Sequence, residues 1–343
     1  MPTWSGILEE LQQLRSGNPP LPPGLSPFDF LRRKYLAALA QLTRRNVIVY
    51  VSKWTQGAAD PETISINAED IQGFMEVVHG LPPNDQLDLI LHLPGGSAEV
   101  TEAIVSYVRS RFSDVRVPQA AMSAATMLAC SANRIVLGAH SFLGPIDPQF
   151  VLRTDVGPIV APAHAILEQF ALAQKQCQDP ALLPSWIPIL RQYGPSLIIQ
   201  CQLASQLSES LVSEWLAAYM FQGQTDGAVK AKWIAETLGK HADFKSHSRF
   251  ISREKLKALG LVVEDLEADQ RLQDAVLSVF HTCTHTFGAT PAMKLIENHL
   301  GKAFIKLTQQ MSFVMPQPVM IPAAGEPPRP PQSAPPIPEA RVR

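Results

Sequence analysis

Leu87-Asp88-Leu89-Ile90-Leu91-His92-Leu93-Pro94-Gly95-Gly96 is an apolar run that stops at a proline and a pair of glycines, and its reading decides the fold. A short apolar run bounded by turn residues is a strand. A strand ending on paired glycines brings bare backbone close to something. Ser97 then caps a helix through Arg111, because Val100, Ile104, Tyr107 and Val108 form one apolar stripe. A second short strand, Val115 to Val117, runs into Ala121-Met122-Ser123-Ala124-Ala125-Thr126, where small residues open a helix with Ser123 at its start. Arg134 to Leu137 is a third strand. Gly144-Pro145-Ile146-Asp147-Pro148, rich in glycine and proline, is a shaped loop.

Upstream, Phe28, Leu31, Tyr35, Leu39 and Leu42 recur at helical spacing up to Arg45, and Val47 to Val51 is a strand covered on both faces. A loop follows, and then a helix from Asn67 to Leu81 with Asn67 as its cap and Asp70 in its first turn. Strand and helix thus alternate to Leu137, the signature of an α/β fold with a mostly parallel sheet. In such sheets ligands bind beyond the carboxyl ends of the strands. Gly95-Gly96 and Ser123 fall on that rim.

Beyond Pro148 the pattern predicts a mainly helical half: residues 161–176, 186–192, 196–206, 208–219, 226–238, 253–259 and 265–281, with a last helix from Pro291 to about Gln310. The expected organisation is an N-terminal arm and proline-rich connector over 1–27, a core over 28–150, a helical region over 151–310, and an extended proline-rich tail over 311–343.

The net charge of −2 gives no electrostatic case for nucleic acid or an anionic membrane as a partner. No apolar run is long enough to span a bilayer and no signal sequence stands at the start, so a soluble intracellular, cytoplasmic protein is expected. Four cysteines, Cys130, Cys177, Cys201 and Cys283, lie far apart and read as reduced and packed rather than as a disulfide framework or zinc knuckle. His281-Thr282-Cys283-Thr284-His285 has ligand residue types, but on a helix they splay to different faces, so no metal is expected. No Walker loop or dinucleotide fingerprint occurs, and no cofactor is expected.

A serine hydroxyl needs a base within hydrogen-bond reach and amide donors for the developing oxyanion. Ser123 at a helix start leaves the Ala124 amide unpaired, and Gly95 or Gly96 can present a second amide with no side chain in the way. The plainer reading is that Ser123 only caps its helix. His140, in the turn after the third strand, and His92, inside the strand before Pro94, are further titratable candidates, each open to a structural reading. Asp147, between two bends, either orients a base, binds a peptide amide, or simply stabilises its turn.

Leu91-His92-Leu93-Pro94-Gly95-Gly96, Ala121-Met122-Ser123-Ala124-Ala125-Thr126-Met127 and Leu143-Gly144-Pro145-Ile146-Asp147-Pro148-Gln149, in that order, resemble the Clp-fold serine proteinases of the serine dehydrogenase proteinase family. These are relatives of the signal peptide peptidase A group in the Clp/crotonase superfamily. The likeness extends over roughly residues 30 to 305 and takes in Trp215-Leu216, Ser246-His247-Ser248-Arg249 and Ile296-Glu297-Asn298. It implies a ββα superhelix of Clp/crotonase type and a serine peptidase acting on peptide or protein substrates. Ser123 would be the nucleophile, and the Gly95 or Gly96 and Ala124 amides the oxyanion hole. It also implies a homo-oligomer. Two departures stand out: Ala125 replaces the family's glycine, and the loop at 144–147 lacks the histidine of Clp peptidases. The signal peptide peptidase group uses a lysine as base, and Lys175 is the sole lysine between Asp147 and Arg191. The competing reading is an inactive relative that docks partners through its proline-rich tail.

Overall fold

The computed structural model describes residues 3–57, 59–155 and 157–308. These form one compact unit closing at Thr308. The tail expected over 311–343 lies outside the described residues.

Strands β1 (Asn46–Ser52), β2 (Gln86–Leu93), β3 (Asp114–Ala121), β4 (Arg134–Leu137) and β9 (Val263–Asp265) run parallel, in that spatial order. On the other side of β1, β10 (Ala292–Asn298) and β11 (Ala303–Leu307) complete the sheet antiparallel. A short strand, β5 (Phe142–Leu143), continues beside the end of β3 and pairs with β8 (Ile251–Ser252). A separate hairpin is formed by β6 (Gln149–Thr154) and β7 (Gly157–Pro162). The α/β class and the mostly parallel sheet read from the alternation are what the chain adopts.

β1 and nearly all of β2 are buried because helices cover both faces. On one face, Ile48, Leu89 and Leu91 pack under helices Glu69–Val78, Ala98–Arg111 and Ala124–Cys130. On the other, Val47, Val49 and Ile90 pack under helices Pro27–Thr43 and Gln270–Ala289. Ser97 caps as its position predicts, its Oγ accepting from the Val100 amide at 3.1 Å.

Four expectations are corrected. Residues 291–308 do not form a helix; they supply β10 and β11, and the charged Lys294 and Glu297 are completely buried on β10. Each is paired with a group far away in sequence: Lys294 Nζ lies 2.7 Å from Asp70 Oδ2, and Arg32 Nε lies 2.6 Å from Glu297 Oε2. A strand carrying two buried charges has no alternating pattern, so its sequence imitates a surface helix. Residues 149–154 and 157–162 pair as a hairpin inside the region expected to be mainly helical, and Val151, Ile159 and Val160 are exposed on it. The helices expected at 196–206 and 208–219 are one, Leu197–Trp215, extended by a π-helical turn at Leu216–Met220. Finally, the segment expected as an N-terminal arm is docked on the fold: helix Trp4–Arg15 buries Ile7, Leu11 and Leu14 against Phe28 and Leu31.

Candidate functional site

β3 ends at Ala121, and the chain reverses into helix Ala124–Cys130 through Ser123, which sits at φ 50°, ψ −125°. A non-glycine residue in this region costs of order 1–3 kcal/mol and persists only where its surroundings enforce it. They do so from both sides. Met122 N donates to Leu93 O at 3.1 Å, locking the turn to the end of β2, and Met127 N donates to Ser123 O at 3.1 Å, starting the helix. The Ser123 hydroxyl makes no capping bond, so capping does not account for a serine here. Among the described residues the Ala124 amide has no backbone acceptor. Ala125, where the family carries glycine, is fully buried within the helix and is not part of the cavity wall.

Gly95 and Gly96 face this turn with φ of 111° and 147°, both favouring glycine. A Cβ on Gly95 would stand 2.6 Å from Ser123 Cβ and 3.1 Å from the Ala124 amide nitrogen. A Cβ on Gly96 would stand 2.4 Å from both the amide nitrogen and the carbonyl oxygen of Ile66. Ile66 is a strap across the glycine pair: its amide donates to Gly95 O at 2.7 Å, and its carbonyl accepts from Ser97 N at 3.0 Å. Both bonds use the residues flanking Gly96, so the Gly96 amide takes no part in the bridge.

The other wall comes from the loop after β5. Thr126 Oγ1 donates to Ala121 O at 3.1 Å and accepts from Gly144 N at 3.0 Å, and Ile146 N donates to Leu238 O at 3.0 Å. These bonds fix Asp147, only 1% exposed, between two histidines. His247 Nδ1 lies 2.8 Å from Asp147 Oδ1, and His241 Nδ1 lies 2.7 Å from Asp147 Oδ2. An imidazole nitrogen facing a carboxylate donates, which leaves Nε2 of the neutral ring as an acceptor.

Ser123, Gly95, Gly96, Ala124 and His247 line one cavity of about 360 Å³. Its remaining wall is largely apolar, with Met127, Ile146, Phe150 and Leu207, and the Ser65 end of the strap. A hydroxyl at a strained turn, unpaired amides beside it, and a carboxylate-anchored imidazole on the same cavity are the parts that acyl transfer requires.

The structure does not bring the other candidates together with these. Lys175 is exposed in the last turn of helix Ala163–Gln176, away from the cavity lining. His140 is exposed in the turn after β4, folded back over Gly138. His92 points to the opposite face of the sheet, because it is two residues from Ile90, which packs there. Its Nε2 lies 3.2 Å from Thr55 Oγ1, its ring packs against Trp54 and Phe280, and burial pushes its pKa down to about 4. In the Thr-Cys-Thr stretch, His285 stacks on Trp4, with Nε2 3.0 Å from Trp4 O, and Cys283 is buried. No group of ligating side chains that could hold a metal occurs among the described residues. None of their helices is long and apolar enough to cross a membrane.

Sequence reasoning missed that His247 and His241 meet at Asp147. They lie 100 and 94 residues beyond Asp147, in a segment with no local pattern. The Ser246-His247-Ser248-Arg249 string was the one available signal.

Residues 38–184 match the family of ClpP-like SDH-type serine proteinases. Two uncharacterized proteins of Methanocaldococcus jannaschii are similar. MJ0137 is 33% identical over 86 residues, 24% of this chain and 30% of that protein. MJ1495 is 26% identical over 233 residues, 67% of this chain and 68% of that protein. The chain thus spans about a third of the first relative and about two thirds of the second. Among solved structures, the 1510-N membrane-bound stomatin-specific protease is similar at 15% identity and a TM-score of 0.35, covering 58% of this chain and 74% of that one.

Proposed function

We propose that this chain, whose residues 38–184 match the ClpP-like SDH-type serine proteinases, hydrolyses peptide bonds with Ser123 as nucleophile, His247 as general base and Asp147 as the group that orients the base. The observation that carries this reading is the strained Ser123 sharing a cavity with an imidazole whose Nδ1 is held by a buried carboxylate. Asp147 fixes the tautomer with the proton on Nδ1, so Nε2 takes the Ser123 proton as Oγ attacks the scissile carbonyl. The amides of Gly96 and Ala124 receive the developing oxyanion, with Gly95 bare so that the serine can approach; each donor is worth about 3 kcal/mol of transition-state stabilisation. His247 then returns the proton to the leaving amine, and water resolves the acyl-enzyme by the same route.

His247 replaces Lys175 as base in this reading, because Lys175 is surrounded by water and a lysine needs desolvation or a neighbouring cation to lose its proton near neutrality. The substrates are peptides or proteins. The working form is a homo-oligomer, supported by the exposed apolar side chains Val151, Val160, Ile199 and Leu203; sedimentation showing only monomer at micromolar concentration would remove that part.

The test is mass spectrometry of intact protein after treatment with a fluorophosphonate. Wild type and Lys175→Ala should each gain one adduct; Ser123→Ala should gain none, and His247→Ala should react far more slowly. Loss of labelling in Lys175→Ala with full labelling of His247→Ala would overturn the assignment of the base. Folded wild type that takes no label would overturn the peptidase reading.

A further inference from the structure

We infer that the buried pair Lys294–Asp70 is a positioning device for the Gly96 amide, acting through the strap Ser65-Ile66-Asn67. This rests on the proposed role of that amide as an oxyanion donor. Lys294 and Asp70 are both completely buried, with Nζ 2.9 Å from Oδ1 and 2.7 Å from Oδ2. Ion pairs taken out of water are poor stabilisers, and well-packed apolar replacements of similar volume are often neutral or better. Fold stability alone therefore does not explain why this pair sits under the sheet edge.

Both partners also bond to the strap. Lys294 Nζ donates to Ser65 O at 2.5 Å, and Asp70 Oδ2 accepts from Asn67 N at 3.0 Å. One residue lies between those two anchors. It is Ile66, whose amide and carbonyl grip the backbone on either side of Gly96. Tyr50 Oη donates to Asp70 Oδ2 at 2.6 Å, and Lys306 Nζ donates to Asn67 Oδ1 at 3.0 Å, so carboxylate and strap are fixed from behind. The missing Cβ of Gly96 lets the strap lie directly against it, and Ser65 forms part of the cavity wall. The ammonium on β10 thus sets the place of a backbone N–H on the far side of the strap. Burial lowers the pKa of Lys294 and Asp70 opposes that shift, in keeping with a charge held in place for its hydrogen bonds.

The test compares wild type with Lys294→Met and with the double variant Asp70→Asn/Lys294→Met, in which no unpaired charge is buried. Neutralising both partners should raise the urea midpoint above that of Lys294→Met, yet Ser65 O stays unheld. In the double variant, hydrogen exchange of the Ile66 and Ser97 amides should quicken about tenfold or more, while the amides of Ile48 to Val51 keep wild-type protection. Fluorophosphonate labelling of Ser123 should slow by about ten- to a hundredfold, the scale of an ångström-level misplacement, with peptide affinity on a Ser123→Ala background unchanged. Wild-type exchange at Ile66 and Ser97, equal loss of protection throughout β1, or labelling that recovers with stability would each overturn the inference. Should the Lys294 variants fail to fold, Asp70→Asn, which keeps the shape, carries the same exchange measurement. Wild type that takes no label defeats the peptidase reading alone, since the exchange result still decides whether the pair holds the strap.

Discussion

Replacing Asp147 by asparagine should cost both stability and reactivity, by different amounts for different reasons. Asp147 accepts from two imidazoles, at 2.7 and 2.8 Å, with its side chain almost entirely out of water. Asparagine keeps the shape but has one acceptor oxygen and one donor nitrogen. It can satisfy one histidine as found; the other must move its proton to Nε2 to avoid two donors meeting. Both charge-assisted hydrogen bonds become neutral ones, so the urea-unfolding free energy at pH 7.5 should fall by about 1.5–3 kcal/mol. If the displaced partner is His247, its Nε2 carries the proton and cannot accept one from Ser123, and fluorophosphonate labelling should slow by about 10³ to 10⁴. His241→Asn should lower stability by a similar amount but slow labelling far less, because His247 keeps its carboxylate. The decisive observation is the labelling rate of Asp147→Ala, which can hold neither imidazole, measured on protein whose circular dichroism shows it folded. A rate within a few-fold of wild type would refute the roles given to both Asp147 and His247.

Other outcomes follow from the same geometry. Gly95→Ala forces alanine to φ 111° and places its Cβ 2.6 Å from Ser123 Cβ; calorimetry should show about 1–3 kcal/mol lost to backbone strain, and labelling of Ser123 should fall at least about a hundredfold as the hydroxyl is displaced. His92 is held neutral in the fold, with a pKa about 4 against an ordinary 6.5, so the unfolded chain takes up its proton first as pH falls. Its contribution is therefore whole above pH 6.5 and lost progressively down to pH 4, about 3 kcal/mol in all. His92→Asn should show a visibly flatter urea midpoint between those pH values, and an unchanged slope would count against the buried neutral imidazole. Cys130 and Cys283 are buried with thiol pKa values pushed up to about 12, and Cys201 is buried too, while Cys177 is partly exposed. Native protein treated with iodoacetamide at pH 8 should be alkylated at Cys177 first, and peptide mapping that finds Cys130 or Cys283 modified before unfolding would contradict this packing.

Much of the rim of the candidate site was legible because its signals are local. Pro94-Gly95-Gly96 after a strand and Ser123 among small residues before a helix each carry their geometry in a few adjacent positions, and glycine at φ 111° or a serine at a strand-to-helix reversal needs no distant partner to be recognised. Alternation of strand and helix to Leu137 likewise determined the parallel sheet, since each element buries a face that its own spacing defines.

What the tertiary structure alone decided is which groups meet across long separations. A surface-like reading of Ala292-Met293-Lys294-Leu295-Ile296-Glu297-Asn298 as helix is natural, because Lys294 and Glu297 tolerate burial on β10 only once Asp70 and Arg32 are beside them. The proposed base turns on the same physics: Lys175 has suitable neighbours in sequence but is exposed in the fold, whereas His247 gains its orientation from a carboxylate a hundred positions earlier. Periodicity and turn chemistry are properties of neighbouring residues and can be read along the chain. Desolvation and charge pairing depend on what the folded chain places on the other side, and for Lys294, Asp147 and His247 that came only from the packing of the sheet and its loops.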